Sequence, residues 1–226
     1  MNIFLVVFII IVLLALLFLL QFHRDPKRKI PEGKVMVSPA DGWVIAIIDL
    51  KEKKELTKSG KGIKDEREKV NKEMIKDGKM KIDKGVWGKI STMTKDTPDA
   101  RYLISIFMTV FDVHINRSPV DGKIVKITRE KGGFKNAKNL EALENEKVEY
   151  IIENKDLGKI KVIQIAGFLA RRIIPWKKVN ESVKKGERIG KITFGSQVTL
   201  IIPKMRLNIK EGQHVKAGTT ILAEYL

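Results

Sequence analysis

Ser196 follows Gly195 and lies between two β-rich runs, Arg188 to Phe194 and Val198 to Ile202. A serine hydroxyl placed after a glycine can attack the preceding carbonyl, because glycine has no Cβ to block strained backbone angles. That N→O acyl shift gives an ester. Loss of the serine α-proton then eliminates the ester to a dehydroalanine, which tautomerises and hydrolyses to a pyruvoyl group. An isolated Gly-Ser is most often an ordinary turn, so the pair needs company. His114 provides it, in the segment DVHINR with Asp112, Asn116 and Arg117 close by. Its ordinary pKa of ~6.5 lets an imidazole move protons in either direction. His23, beside the apolar N-terminal run, and His214, in an expected turn after Gly212-Gln213, read as bystanders. Cysteine is absent, which excludes disulfides, thiolate metal sites and thiol nucleophiles, and no metal-ligand cluster is visible.

The elements that must position these residues read as mainly β. Short apolar runs rich in β-branched residues recur at 43–48, 102–111, 123–128, 148–153, 159–167 and 198–202, bounded by Gly, Pro, Asp and Asn. The structure of residues 168–176 is not legible from pattern. Ser38-Pro39-Ala40-Asp41-Gly42 returns as Ser118-Pro119-Val120-Asp121-Gly122, each a Pro/Asp-Gly turn feeding a strand. A second pair, around Gly186 and around Gly212 and Gly218, sets apolar residues and glycines in one rhythm. That rhythm resembles barrel-sandwich, lipoyl-type modules. The expected architecture is mainly β (α+β) with pseudo-repeated hairpins.

Ile3 to Leu20 is an unbroken apolar run. At 1.5 Å per residue it reaches ~27 Å, close to the ~30 Å hydrocarbon core of a bilayer. Positive charge follows the run rather than preceding it, against a cleaved signal peptide. The expected organisation is a transmembrane anchor over 1–22, a basic juxtamembrane linker over 23–34 and a catalytic domain over 35–226. The basic flank places the body on the cytoplasmic side of the cell membrane. Residues 51–84 read as a lysine-rich, solvated insertion with room for some helix. The net charge of +17 then fits attraction to an anionic membrane surface on a lysine-rich background. No aromatic-basic strand motif points to nucleic acid.

Three segments, SPADGWV (38–44), IFMTVFDVHINRSPVDG (106–122) and FGSQVTLIIP (194–203), joined by GGFKNA (132–137) and QIAGFLARRI (164–173), resemble in order and combination the short form of the phosphatidylserine decarboxylase family. The resemblance runs through nearly everything after residue 35 except the insertion. It implies a proenzyme that cuts itself between Gly195 and Ser196, leaving a pyruvoyl group, made from Ser196, at the head of residues 196–226. The two fragments would stay associated. The pyruvoyl carbonyl would take the amine of a serine phospholipid as a Schiff base and accept the electron pair as carbon dioxide leaves. The lipid would be phosphatidylserine, or archaetidylserine if the source is archaeal, and the product its ethanolamine counterpart. No metal is implied.

By the same resemblance Asp41 belongs to an Asp–His–Ser self-processing triad with His114 and Ser196. Its other reading is a plain Asp-Gly turn residue, as Asp121 is in the repeat. Long bacterial members carry two histidines three residues apart here, whereas this chain has His114 and then Arg117. That leaves open whether His114 serves processing, decarboxylation or both. Arg171 and Arg172 are candidates to hold the lipid phosphate through charge-assisted hydrogen bonds. The rival reading is a membrane-anchored adaptor or carrier with lipoyl-like hairpins. It would need sustained heptads in 51–84 or a modified lysine, of which Lys204-Met205 is a partial echo. Only the general prevalence of homo-oligomers bears on assembly.

Overall fold

The computed structural model describes residues 3–51, 54–55, 75–76, 79–83, 89–93, 96–130, 146–167, 172–193 and 196–226. Among the described residues one helix, α1 (Ile3–Phe22), precedes eighteen strands. The strands are β1 (Val35–Val37), β2 (Gly42–Asp49), β3 (Lys54–Glu55), β4 (Ile75–Lys76), β5 (Lys79–Asp83), β6 (Lys89–Met93), β7 (Tyr102–Met108), β8 (Ile115–Arg117) and β9 (Gly122–Glu130). There follow β10 (Lys147–Asn154), β11 (Gly158–Ala166), β12 (Arg172–Pro175), β13 (Ser182–Val183), β14 (Arg188–Thr193), β15 (Ser196–Ile202), β16 (Arg206–Leu207), β17 (His214–Val215) and β18 (Ile221–Glu224).

α1 holds no Gly, Pro or charge, and its last helical bond runs from the His23 N–H to the Leu19 carbonyl, 2.9 Å. Pro26 disfavours further helix by restricting the residue before it. The helix is long and apolar enough to cross a membrane, and most of its apolar side chains before Phe22 stand in the open.

The strands form a mainly β body around a curled sheet in the order β13-β9-β10-β11-β15-β7-β2-β17, with β3 pairing β2. Two three-stranded sheets, β1-β18-β16 and β12-β14-β8, complete it, and β4-β5-β6 stands separately. The inner strands β7, β11 and β15 are buried on both faces, and every residue of Ser196–Ile202 is buried. Such strands need apolar residues at nearly every position, which is why these runs read as continuous rather than alternating. The main core gathers Met36, Val44, Ile106, Val120, Ile124, Tyr150, Val162, Ile189, Val198, Leu200 and their neighbours.

The sequence repeat is a structural two-fold. Gly42 and Gly122 begin equivalent strands, and a Cβ on either would lie 2.2 Å from the Phe107 carbonyl oxygen or 2.5 Å from that of Glu153. No side chain fits either place. Val44 faces Ile106 and Ala46 faces Ser105, with a bulge between; Ile124 faces Ile152 and Lys126 faces Ile151, again with a bulge. The Ser38 and Ser118 hydroxyls donate to the Ala40 and Val120 carbonyls at 2.6 and 2.7 Å. Val37 N–H donates to the Pro119 carbonyl and Arg117 N–H to the Pro39 carbonyl, so the two turns clasp each other. One unit, β8 to β14, is continuous. It is inserted between β7 and β15 of the other, which is made of β1, β2, β7, β15, β16, β17 and β18.

Where residues 51–84 are described they form strand, at β3, β4 and β5, apart from Lys51 in a turn; the helical content expected there lies outside the described residues, as does most of the insertion. Residues 23–34 carry no helix or strand, yet they are firmly tied to the body. Asp25 bridges Arg117 (2.8 Å) and Arg188 (2.5 Å), and Arg28 grips Asp41 (2.8 Å). The Ile30 side chain fills the space in front of both Gly186 and Gly218, the matching turn glycines of the two units.

Candidate active site

Ser196 opens β15, where it faces Ala166 of β11 on one side and Met108 of β7 on the other. It is 2% exposed. Its hydroxyl donates to the Met108 thioether at 3.3 Å. A thioether is a weak acceptor, so the hydroxyl is oriented without being tied up. Asn116 Nδ2 donates to the same sulfur at 3.7 Å, and Gln164 Nε2 donates to Asn116 Oδ1 at 2.7 Å. β8, β11 and β7 therefore bring Asn116, Gln164 and Met108 together around Ser196. Gln164 Oε1 is buried and has no partner. Gly195 lies outside the described residues.

His114 sits in the connection leaving β7, residues 109–114, and is fully buried. Its Nδ1 lies 2.9 Å from the Asp112 carbonyl. A carbonyl only accepts, so Nδ1 carries the proton and Nε2 carries the lone pair. Nε2 is buried and unpartnered. An unpaired buried acceptor is costly and signals a place where a proton or ligand is to be handled. Burial pushes the His114 pKa down to about 4. The bond to Asp112 and its carboxylate charge oppose that shift, while Lys191 and Arg24 add to it. The imidazole is thus neutral at physiological pH, with a lone pair on Nε2.

Asp112 fixes the loop. Its Oδ2 accepts from the Thr109 N–H and hydroxyl, each 2.7 Å, and its Oδ1 accepts from His214 Nε2 at 2.9 Å. His214 lies in β17, not in a turn, and Trp43 packs edge-on against its ring at 5.1 Å. No periodicity singles out His214, Met108 or Gln164; Gln164 stood only inside a recognised segment, QIAG. Lys191 and Arg24, which press on His114 electrostatically, come from β14 and from the segment after α1.

Among the residues singled out by sequence, Ser196 and His114 both lie at the crossings between the two units. Asp41 lies elsewhere. Its carboxylate takes both hydrogen bonds of the Arg28 guanidinium, 2.8 and 3.0 Å, and the Ala217 N–H at 2.7 Å. In the repeat, Asp121 Oδ1 accepts the Lys185 N–H at 3.0 Å. Neither ring nitrogen of His114 bonds Asp41. Arg117, at the place of the second histidine, donates to the Gly186 carbonyl and to Asp25. Arg172 is exposed on β12, and its carbonyl accepts the Thr193 hydroxyl at 3.0 Å, close in sequence to Ser196. Arg171 lies outside the described residues. No group of three or more metal-binding side chains occurs among the described residues.

The site thus sets a buried serine, a thioether and an unpartnered glutamine oxygen together at the start of a central strand, in a mainly β protein that also carries one long apolar helix. Comparison with known proteins gives the family. The family described as phosphatidylserine decarboxylase matches residues 15–223. The chain is 39% identical to a phosphatidylserine decarboxylase proenzyme of Zymomonas mobilis, over 90% of this chain and 70% of that protein. It is 38% identical to one of Chlorobium limicola, over 93% and 80% respectively. A Methanothermobacter thermautotrophicus protein, provisionally named archaetidylserine decarboxylase proenzyme, is 35% identical over 96% of this chain and 84% of its own. No solved structure matches. The chain belongs to the phosphatidylserine decarboxylase family, and is thereby a decarboxylase of phospholipid synthesis.

Proposed function

We propose that the protein is a self-processing, pyruvoyl-dependent decarboxylase that converts the serine headgroup of a membrane phospholipid to ethanolamine. The observation that carries this reading is the setting of Ser196. It is buried at the mouth of a central strand, next to the Met108–Asn116–Gln164 cluster, with unpartnered acceptors at Gln164 and on His114. Those acceptors fit an amine-bearing substrate, whose N–H groups would supply donors to them.

In the precursor, Ser196 Oγ attacks the Gly195 carbonyl. The weak thioether contact leaves the hydroxyl free to do so, and neutral His114 takes up its proton and passes it to the Ser196 nitrogen as the amide C–N bond breaks, which leaves the imidazole neutral again. The same imidazole then removes the Ser196 α-proton that the elimination requires. Asp41 enters at this stage on the family resemblance; its bonds to Arg28 and Ala217 give it a second, structural duty. The pyruvoyl group so formed at position 196 supplies a carbonyl that takes the substrate amine and accepts the electron pair released with carbon dioxide. His114 handles the proton that ends the reaction, while Asn116, held by Gln164, shapes the pocket beside it. Arg171 and Arg172 are assigned to the lipid phosphate.

The fragments stay together because residues 196–226 are woven into the rest. β15 lies between β11 and β7, β17 pairs β2, and β18 pairs β1. α1 is the membrane anchor, and the exposed Lys27, Lys29 and Lys34 after it support a body on the cytoplasmic side. Both lipid types are candidate substrates, since relatives named for each match at similar identity. The test is carbon dioxide release from serine phospholipid in detergent micelles, before and after treatment with phenylhydrazine, a carbonyl reagent. Loss of release after treatment is expected; undiminished turnover would overturn the pyruvoyl assignment.

A further inference from the structure

α1 faces outward along its length and turns inward at one residue. Its exposed large side chains range from 40% at Val12 to 79% at Phe4, whereas Phe22 is 1% exposed. The Phe22 ring lies on the His114 imidazole, with centroids 4.3 Å apart and planes at 34°. Lys191 Nζ stands 5.8 Å from the centre of the Phe22 ring, and His23 meets that ring edge-on at 5.4 Å. The helix end is stitched to the loop that carries His114, since Gln21 Nε2 and Arg24 Nη2 both donate to the Phe111 carbonyl, at 3.4 and 2.6 Å. The N-terminal helix therefore ends packed against the buried imidazole.

We propose that Phe22 is a positioning residue for His114, holding the imidazole in place and keeping water from its Nε2, so that the anchor is a structural part of the catalytic site as well as a tether. The inference rests on the reading of His114 as the proton-transfer group. A phenyl ring makes no hydrogen bond to imidazole; what it adds is packing and exclusion of water. Exclusion of water favours the neutral base over the imidazolium. The charged groups that face His114 are Asp112 from its own loop, Lys191 from β14 and Arg24 from the segment after α1. Of these only Asp112 favours a charged ring, and all three remain when Phe22 is trimmed. Removing the phenyl ring thus isolates the effect of water.

The experiment uses the full-length chain in detergent micelles, carrying Ser196→Ala so that every variant is compared as one uncut chain. The histidine rings are labelled with carbon-13 and titrated by NMR, with His214 as the internal reference. The parent His114 is expected to titrate near pH 4, and Phe22→Ala to raise its proton affinity at least tenfold. Phe22→Val does the same to a smaller extent. Should Phe22→Ala disturb the whole spectrum, Phe22→Val decides by the same criterion. A His114 midpoint that stays put in the folded variant overturns the proposal. In processed enzyme without the Ser196 substitution, the acid limb of the kcat profile moves up by the same factor. If His114→Gln processed and turned over normally, the role of His114 would fall while the titration result stood, so the two ideas fail separately.

Discussion

β10–β11 and β7–β15 occupy equivalent places in the two halves of the central sheet, and they close differently. The first pair closes over residues 155–157. Asn154 Oδ1 accepts the N–H groups of Asp156 and Leu157, each at 2.9 Å, and Gly158 takes a left-handed backbone with φ of +70°. That is a satisfied Asx turn with nothing left to react. The second pair is open at the corresponding end, where the chain departs after Met108 and returns at Ser196. Register makes Met108 the counterpart of Asn154, and Ser196 the counterpart of Gly158. A capping amide has become a weakly accepting sulfur, and a turn glycine has become a buried hydroxyl. The opened end also frees two connections, and one of them delivers His114. The candidate site lies where the repeat is broken, and the matching end of the whole copy is a satisfied turn.

Substitutions at matched positions test this contrast. Ser196→Ala carries the largest expected effect: no cleavage on a denaturing gel and no carbon dioxide release. Gly158→Ala, at the matching position, is expected to cost about 1 kcal/mol or somewhat more through its positive φ. It should leave both processing and turnover intact. Next comes His114→Gln, expected to slow the proton transfers of processing or turnover by about 10²- to 10⁴-fold. Wild-type rates for both steps would remove its role.

The two repeat aspartates sharpen the comparison further. Asp41→Asn is expected to slow self-cleavage, followed by mass spectrometry, while Asp121→Asn leaves it unchanged. Arg28→Gln is the control, because it breaks the Arg28–Asp41 pair and spares the carboxylate. Equal slowing in Asp41→Asn and Arg28→Gln would assign the effect to the ion pair. The smallest effect is on stability. Burial lowers the His114 pKa to about 4 from its ordinary value of 6.5, so between those values the unfolded chain binds a proton that the folded chain refuses. Stability of the Ser196→Ala precursor should therefore fall as pH drops from 6.5 to 4, by at most ~3 kcal/mol from this group. Denaturant titrations at several pH values should show that dependence weakened in the variant that also carries His114→Gln.

Much of this was legible from residues alone. The repeated SP-x-DG turns and the glycine rhythm announced the two-fold, because only glycine fits where a neighbouring carbonyl approaches as closely as at Gly42 and Gly122. Short apolar runs rich in β-branched residues announced strands; that the inner ones are buried on both faces came from the sheet order. The polar frame of the site was not legible. Met108 and Gln164 sit in apolar strands and reach Ser196 only through cross-strand register, and His214 reaches Asp112 from a strand far along the chain. Phe22 was hidden in a different way. In sequence it is one more apolar residue at the end of an anchor, and only the docking of α1 places it on His114. The segment after the anchor read as a linker from its prolines, yet Asp25, Arg28 and Ile30 bind it to both halves of the repeat.

The central claim is that the opened strand pair cuts its own chain at Ser196. Intact mass spectrometry of purified full-length protein tests it most directly. Two fragments should appear, residues 1–195 and 196–226, the smaller beginning with a pyruvoyl group and therefore lacking a free amino terminus. A single uncut chain with full decarboxylase activity would contradict the account.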